Sequence, residues 1–301
     1  MKQLVILSGK GGTGKTSLAA AFAHLASCDS SALKAVLADV DVDAANLELV
    51  LNPHRIETHD FIGGSVAEIE TERCNGCGLC EQVCRFDAVC VENGNYTIDS
   101  IACDGCAACT YQCPEGAIQM HPQTVGQWYR SETCYGPLFH ADLYPAKENS
   151  GKLVTVVKQY ARLLAIDENY QIIIVDGPPG IGCPVISALA GADLVLVVAE
   201  PTSAGIHDME RVLQLSRHFH MRAMVCINKM DLYPAGSNQI MDYCNQHQID
   251  LVGTIPYDET VNQAIVAGEP VTYFQPTSPA SQAIRKVWSE VVSGMLQESQ
   301  E

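Results

Sequence analysis

The sequence has no apolar run approaching the length needed to cross a bilayer. Its first seven residues carry no signal-peptide pattern. A cytoplasmic location is the expectation. Basic residues are scarce: 18 Lys and Arg stand against 35 Asp and Glu, and the formal net charge is −17. That imbalance opposes bulk affinity for nucleic acid or anionic lipid. No histidine stands in a catalytic pattern, and Arg217-His218-Phe219-His220 reads as a helix end. Outside two dense runs there is no Cys-x-x-Cys pair. Hydrophobic residues are 47% and charged residues 18%, so the 301 residues can bury a substantial core. The length suits two ordinary domains or one large one with an insertion, and a disordered, collagen-like or solenoid chain is excluded.

Fourteen cysteines in a reducing compartment point to metal or redox chemistry rather than to disulfides. Eight fall in two runs, Cys74, Cys77, Cys80, Cys84 and Cys103, Cys106, Cys109, Cys113. Each reads C-x2-C-x2-C-x3-C, and Pro114 follows the second. This is the spacing by which a chain wraps a [4Fe–4S] cluster. Three closely spaced thiolates converge on one cube, and the fourth reaches across to the other. Cluster one then takes Cys74, Cys77, Cys80 and Cys113. Cluster two takes Cys103, Cys106, Cys109 and Cys84. A pair of zinc sites is the alternative, but the spacing packs thiolates more tightly than a tetrahedral ion demands. Gly76, Gly78 and Gly105 lie between ligands, where the backbone must turn tightly. Arg85 stands where a proline often follows the fourth cysteine. Residues 88–91 and 96–98 look like short strands around an Asn93-Gly94 turn. Cys90, in the first of these, reads as a small buried side chain. The stretch from about 60 to 122 resembles a bacterial two-cluster ferredoxin.

The rest of the chain alternates apolar strands with helices. Residues 4–7, 35–38, 172–175, 194–198, 223–227 and 251–255 read as strands, and 17–26 and 153–166 as helices. Continuous apolar strands between helices imply a mostly parallel α/β sheet with helices on both faces. The expected domains are 1–59 and 123–301, forming one α/β domain, with 60–122 inserted as an α+β ferredoxin-like domain.

Directly after the first strand, Gly9 through Thr16 fits G-x4-G-K-[ST]. Glycines there let backbone N–H groups curl around phosphates, and the next helix presents its positive end. Gly11, Gly12, Thr13, Gly14, Lys15, Thr16 and Ser17 form the expected phosphate cradle. Lys15 would meet the β- and γ-phosphates, and Thr16 would hold Mg²⁺.

The run Lys10-Gly11-Gly12-Thr13-Gly14-Lys15-Thr16 resembles the deviant P-loop of the MinD, ParA and Mrp family of ATPases, which includes the nitrogenase iron protein. Asp39-Val40-Asp41 before Asn46-Leu47, Asp176-Gly177-Pro178-Pro179-Gly180, and Asn228-Lys229-Met230-Asp231 resemble further landmarks of that family. The resemblance covers the whole chain, with the ferredoxin-like segment as an insertion. It implies ATP as the nucleotide, with GTP as the minor alternative. It implies that Lys10 reaches phosphates bound by a second subunit. Asp41 would orient the attacking water, Asp39 and Asp176 would serve Mg²⁺, and Asn228 would hold adenine. Pro256-Tyr257-Asp258 would cover the base.

As partners the resemblance implies an ATP-dependent homodimer, or a heterodimer with a related ATPase. Three functions follow: a redox-responsive ATPase that regulates or positions a protein partner, ATP-gated electron transfer, and Fe–S cluster delivery. The missing surface Cys-x-x-Cys disfavours the last. Cys134 and Cys183 read as buried thiols, with an interface cluster as the alternative. Cys28, Cys226 and Cys244 read as ordinary helix or strand cysteines. Residues 127–144 read as a hairpin turning at Tyr135-Gly136-Pro137, and 147–152 as a linker into a helix. Ile284, Val287, Trp288, Val291, Val292 and Met295 share one helical stripe. Only Arg285 and Lys286 flank it with positive charge, and the tail Glu298-Ser299-Gln300-Glu301 is acidic. Docking on the core is expected rather than membrane binding.

Overall fold

The computed structural model describes residues 1–28, 33–145 and 151–297. The linker residues 147–150 and the tail 298–301 lie outside the described residues. The chain opens with β1 (Lys2–Ser8), α1 (Lys15–Cys28), β2 (Ala35–Asp39), α2 (Leu47–Leu51) and β3 (His54–Ile69). Then come α3 (Leu79–Val83), β4 (Val89–Glu92), β5 (Asn95–Ile98), α4 (Ala108–Gln112), β6 (Ile118–Thr133) and β7 (Gly136–Leu143). The next stretch holds α5 (Lys152–Asp167), β8 (Ile172–Pro179), α6 (Cys183–Leu189), β9 (Leu194–Ala199) and α7 (Ser203–His218). It ends with β10 (Ala223–Asn228), α8 (Pro234–His247), β11 (Asp250–Ile255), α9 (Glu259–Ala267), α10 (Val271–Phe274) and α11 (Pro279–Gln297).

Two compact units emerge. One comprises Met1–His59, Trp128–Asp142 and Asn149–Glu301; the other comprises Asp60–Gln127 and Leu143–Glu148. β6 runs without a break through His121 and Pro122, where the sequence suggested that the chain leaves the insertion.

The main sheet has the order β11-β10-β9-β1-β8-β2-β7-β6-β3. Strands β11 to β7 of that order pair in parallel. Strands β1 and β9 are almost wholly buried, which is why they read as unbroken apolar runs. The Ala-rich α1 is buried around most of its circumference and packs beneath this sheet. β1 lies between β8 and β9, so its C-terminal end faces the crevice where ligands bind in open α/β sheets. Helix α11 docks on the core: Val287, Trp288, Val291 and Met295 are buried, and Trp288 lies 4.9 Å from Phe22 of α1 between ring centroids.

The 60–127 unit is built on an internal repeat. Cys74 N–H donates to Glu70 O (3.1 Å), and its counterpart Cys103 N–H donates to Asp99 O (2.9 Å). Glu70 N–H pairs with Ala117 O, and Asp99 N–H with Ala88 O, each at 2.8 Å. The two halves therefore exchange one equivalent bond each. β4 and β5 form an antiparallel hairpin, with Asn93 and Gly94 at φ 51° and 81° in the left-handed region that its two-residue turn requires. Gly105 is obligatory: a Cβ there would stand 2.2 Å from Ser65 O.

Candidate functional sites

The loop from β1 to α1 forms one wall of a cavity of about 600 Å³. Gly11, Gly12, Gly14, Lys15, Thr16, Ser17, Asp41 and Asn228 line it. Lys10, Thr13, Asp39, Asp176, Pro256 and Asp258 do not. Sequence reasoning missed part of its lining: Val261, Asn262 and Ile265 of α9 and Ile284 of α11. These are apolar or amide side chains suited to a flat ring.

The parallel pairing of β2 with β8 brings Asp39 and Asp176 into register. Both side chains are fully buried, and their environments differ. The Asp39 carboxylate is saturated: it accepts the N–H groups of Asp41 (3.1 Å), Asn46 (3.1 Å) and Leu47 (3.0 Å). It thereby ties the Asp41 loop and the start of α2 to the end of β2. Both Asp176 oxygens are buried with no partner at hydrogen-bonding distance. Burial raises the Asp176 carboxyl to about 6, Asp41 adds to the rise, and Lys15 and the more distant Thr16 hydroxyl oppose it. Burial, then the Asp176 charge, hold Asp39 well above the usual carboxylate range. Asp41 is raised by burial and Asp43, against the pull of Lys15. Uncompensated carboxylate beside a Thr hydroxyl is the donor set that a hard divalent cation satisfies.

The base-side residues are engaged with protein. Asn228 Nδ2 donates to Thr13 O (2.7 Å), and its Oδ1 accepts Lys229 N–H (3.0 Å). Gly14, at φ 93°, must be glycine, because a Cβ would lie 2.4 Å from Asn228 Nδ2. Asp258 caps α9 by accepting Thr260 N–H (3.0 Å) and also accepts Ala280 N–H (3.2 Å), so it ties α9 to α11. Lys10 Nζ lies 2.7 Å from Glu200 Oε2, and Lys229 Nζ lies 2.8 Å from Glu200 Oε1. Lys229 also donates to Gly12 O (3.1 Å).

The eight clustered thiols divide between two small cavities, with Cys77 and Cys106 reaching the surface. Cys74, Cys77, Cys80 and Cys113 line one, together with Ile69, Tyr96 and Ile118. Cys84, Cys103, Cys106 and Cys109 line the other, together with Phe86, Val89 and Ile98. Gly76, Gly78 and Gly105 adopt φ of 73°, 73° and 71°, and Ala107 adopts 61° at the position matching Gly78. The fourth cysteine of each run accepts a backbone N–H four residues on: Ala88 to Cys84 Sγ at 3.4 Å, and Ala117 to Cys113 Sγ at 3.3 Å. Among the described residues, no three His, Cys, Asp or Glu side chains form a group that could hold a single metal ion.

Three other cysteines depart from expectation. Cys90, Cys134 and Cys183 are exposed, not buried. Cys90 lies on the two-stranded β4–β5 ribbon, where it is exposed. Cys134 occupies the two-residue turn between β6 and β7, one position before the anticipated one. Cys183 opens α6. Cys226 and Cys244 are buried as ordinary strand and helix residues.

Residues 4–271 match the CobQ/CobB/MinD/ParA nucleotide-binding domain model. The chain belongs to this family. An uncharacterized protein of Methanocaldococcus jannaschii is 30% identical, with 96% of each chain covered. MinD, the septum site-determining protein of Bacillus subtilis, is 25% identical, covering 94% of this chain and 86% of its own. The MinD fold is shared as well. The MinC:MinD cell division complex of Aquifex aeolicus aligns with a TM-score of 0.60 at 22% identity, covering 97% of this chain and 96% of that one. Among the described residues no helix is long and apolar enough to cross a membrane.

Proposed function

We propose that this MinD/ParA-type protein binds and hydrolyses ATP with Mg²⁺, carries two [4Fe–4S] clusters, and couples nucleotide-dependent dimerisation to cluster redox state in order to regulate or position a protein partner. One observation carries the cluster assignment: the eight thiols divide four and four around two small cavities, each drawing its fourth cysteine from the other run. The apolar lining and the N–H donors to Cys84 and Cys113 suit buried, negatively charged sulfur. When bound, the clusters supply one-electron storage. Cys74, Cys77, Cys80 and Cys113 would hold one, and Cys103, Cys106, Cys109 and Cys84 the other.

In the cavity, the backbone N–H groups of residues 11–17 cradle the phosphates. Lys15 neutralises charge between the β- and γ-phosphates. Thr16 and Asp176 hold Mg²⁺, and the unpaired Asp176 oxygens support that assignment. Asp39 keeps the loop in place through its three N–H acceptances, so its service to the cation is indirect. Asp41 orients the water that attacks the γ-phosphorus; the bridging P–O bond breaks, and ADP and phosphate leave. Lys10 serves a second subunit's phosphates once it leaves Glu200. The α9 and α11 wall takes the adenine face.

The test is anaerobic ATP turnover of the reconstituted protein, with clusters oxidised and then reduced, and with EPR on the same samples. A rate difference supports coupling. Where reduction also changes nucleotide affinity, bound nucleotide must by linkage shift the cluster reduction equilibrium by the same free energy. Equal rates sink redox control of hydrolysis. Reduction of an acceptor protein that requires ATP would favour ATP-gated electron transfer instead.

A further inference from the structure

The chain enters the 60–127 unit from His59 and leaves it at Trp128. Both residues are held by elements that follow the nucleotide cavity. Trp128 stacks on His59 at 4.1 Å with rings 12° apart, and on Tyr160 of α5 at 4.1 Å with rings 24° apart. Arg130, two residues on, lies 3.3 Å from Glu57 of β3 and 3.9 Å from Glu168, which ends α5. Helix α5 in turn grips α6, the helix after Asp176–Gly182. Buried Lys158 donates to the Ser187 (3.1 Å), Ala188 and Ala190 (2.8 Å) carbonyls at the C-terminal end of α6. A cation there meets three orphan carbonyls and the negative end of the helix.

The next strand residue, Tyr129, faces the other side of the sheet. It packs against His140 at 5.0 Å, and the Arg55 guanidinium lies 3.6 Å above its ring. Glu48 of α2 lies 3.6 Å from Arg55 and 3.3 Å from His140 Nδ1, while His140 Nε2 meets Ser131 Oγ at 2.9 Å. Glu48 sits one residue past Leu47, whose N–H is held by Asp39.

We propose that this double grip, Tyr160 on Trp128 from one face and Glu48 with Arg55 on Tyr129 from the other, carries nucleotide-driven movement of the two cavity loops into the 60–127 unit. The proposal rests on the nucleotide reading above. α2 follows the loop that leaves β2 at Asp39, and α6 follows the short loop 180–182 that leaves β8, the strand carrying Asp176. A shift of either helix must be transmitted by these contacts or must break them. Neither Glu48 nor Tyr160 lines the cavity. A coupling path needs measured coupling as its warrant, and the experiment supplies that.

Hydrogen exchange of the anaerobic, cluster-loaded protein is measured with and without Mg-AMPPNP. The variants are Tyr160→Ala, Glu48→Gln and the double, and nucleotide affinity is measured in parallel. The expected result is a nucleotide-dependent change in protection within residues 60–127 of the unaltered protein. Each single variant weakens it and the double variant abolishes it, with affinity unchanged. Full retention of the change in the double variant overturns the proposal. So does an unaltered protein that binds nucleotide with no change in that unit. Absence of nucleotide binding altogether overturns the nucleotide reading itself, and a separate affinity measurement distinguishes that outcome.

Discussion

Glu200 holds Lys10 and Lys229 at once, one on each carboxylate oxygen, at 2.7 and 2.8 Å. Lys10 is thus neutralised within its own chain. To reach phosphates on a second subunit it must give up this partner. Burial raises the Glu200 carboxyl, but hydrogen bonds and charge from the two lysines outweigh it and hold it below the usual range.

Replacing Glu200 with Gln should therefore release Lys10 and favour association. A partly exposed pair of this kind is worth about 1 kcal/mol, or about fivefold in the nucleotide concentration needed for dimerisation. Light scattering during ATP titration measures it. Lys10→Ala should lose ATP-driven dimerisation while keeping the fold. An E200Q protein that dimerises only at higher ATP would contradict the latch.

Asp176 should impose a pH signature on stability. An unfolded Asp titrates near 4, whereas burial raises this one to about 6 in the fold. The native state thus holds the proton more tightly. Stability contributed by the protonated form is complete at acid pH and is lost as pH rises from about 4 through about 6. Asp176→Asn should be more stable than the parent at pH 7, by on the order of 2 kcal/mol, with the difference vanishing near pH 4. Urea titrations across pH check this. The same variant should lose Mg²⁺-dependent ATP turnover.

Iron and acid-labile sulfide should each approach eight per chain in protein purified without air. The interleaved lining gives a sharper test. Cys113→Ser should disturb the same EPR signal as Cys74→Ser, and Cys84→Ser the same signal as Cys103→Ser. Pairing of signals within each run would contradict the crossed arrangement. Stoichiometric zinc would remove the cluster assignment altogether.

Trp288→Ala should cost about 3 to 5 kcal/mol, because a buried indole leaves a cavity against Phe22. Urea denaturation measures the loss. Ile284, one turn earlier, lines the nucleotide cavity, so weaker nucleotide binding should accompany it.

Legibility in the sequence followed locality. Gly9 through Thr16 is one unbroken stretch between a strand and a helix, so its place could be read directly. The doubled cysteine spacing likewise carried its own geometry. Asp39 and Asp176 could be found from the short motifs that hold them, but not their contrast. That contrast depends on the N–H groups of Asn46 and Leu47, which turn back onto Asp39 alone. Glu200 meets Lys10 across most of the chain, and nothing near either residue announces the pair. Ile284 and Asn262 reach the cavity only through helix packing. Lys158 meets its three carbonyls only through the packing of α5 on α6, which nothing local to it announces. The exposure of Cys134 follows from a turn displaced by one residue.

The crossed lining of the two thiol cavities also bears on biosynthesis. The cavity begun by Cys74 is closed by Cys113, the last of the eight to leave the ribosome. The other is begun by Cys84 and completed only by Cys103, Cys106 and Cys109 of the second run. Neither set of four exists while the first run alone has been translated. On the proposed cluster assignment, loading would have to wait for the second run, and a chain truncated between the runs would offer no complete site to compete for iron.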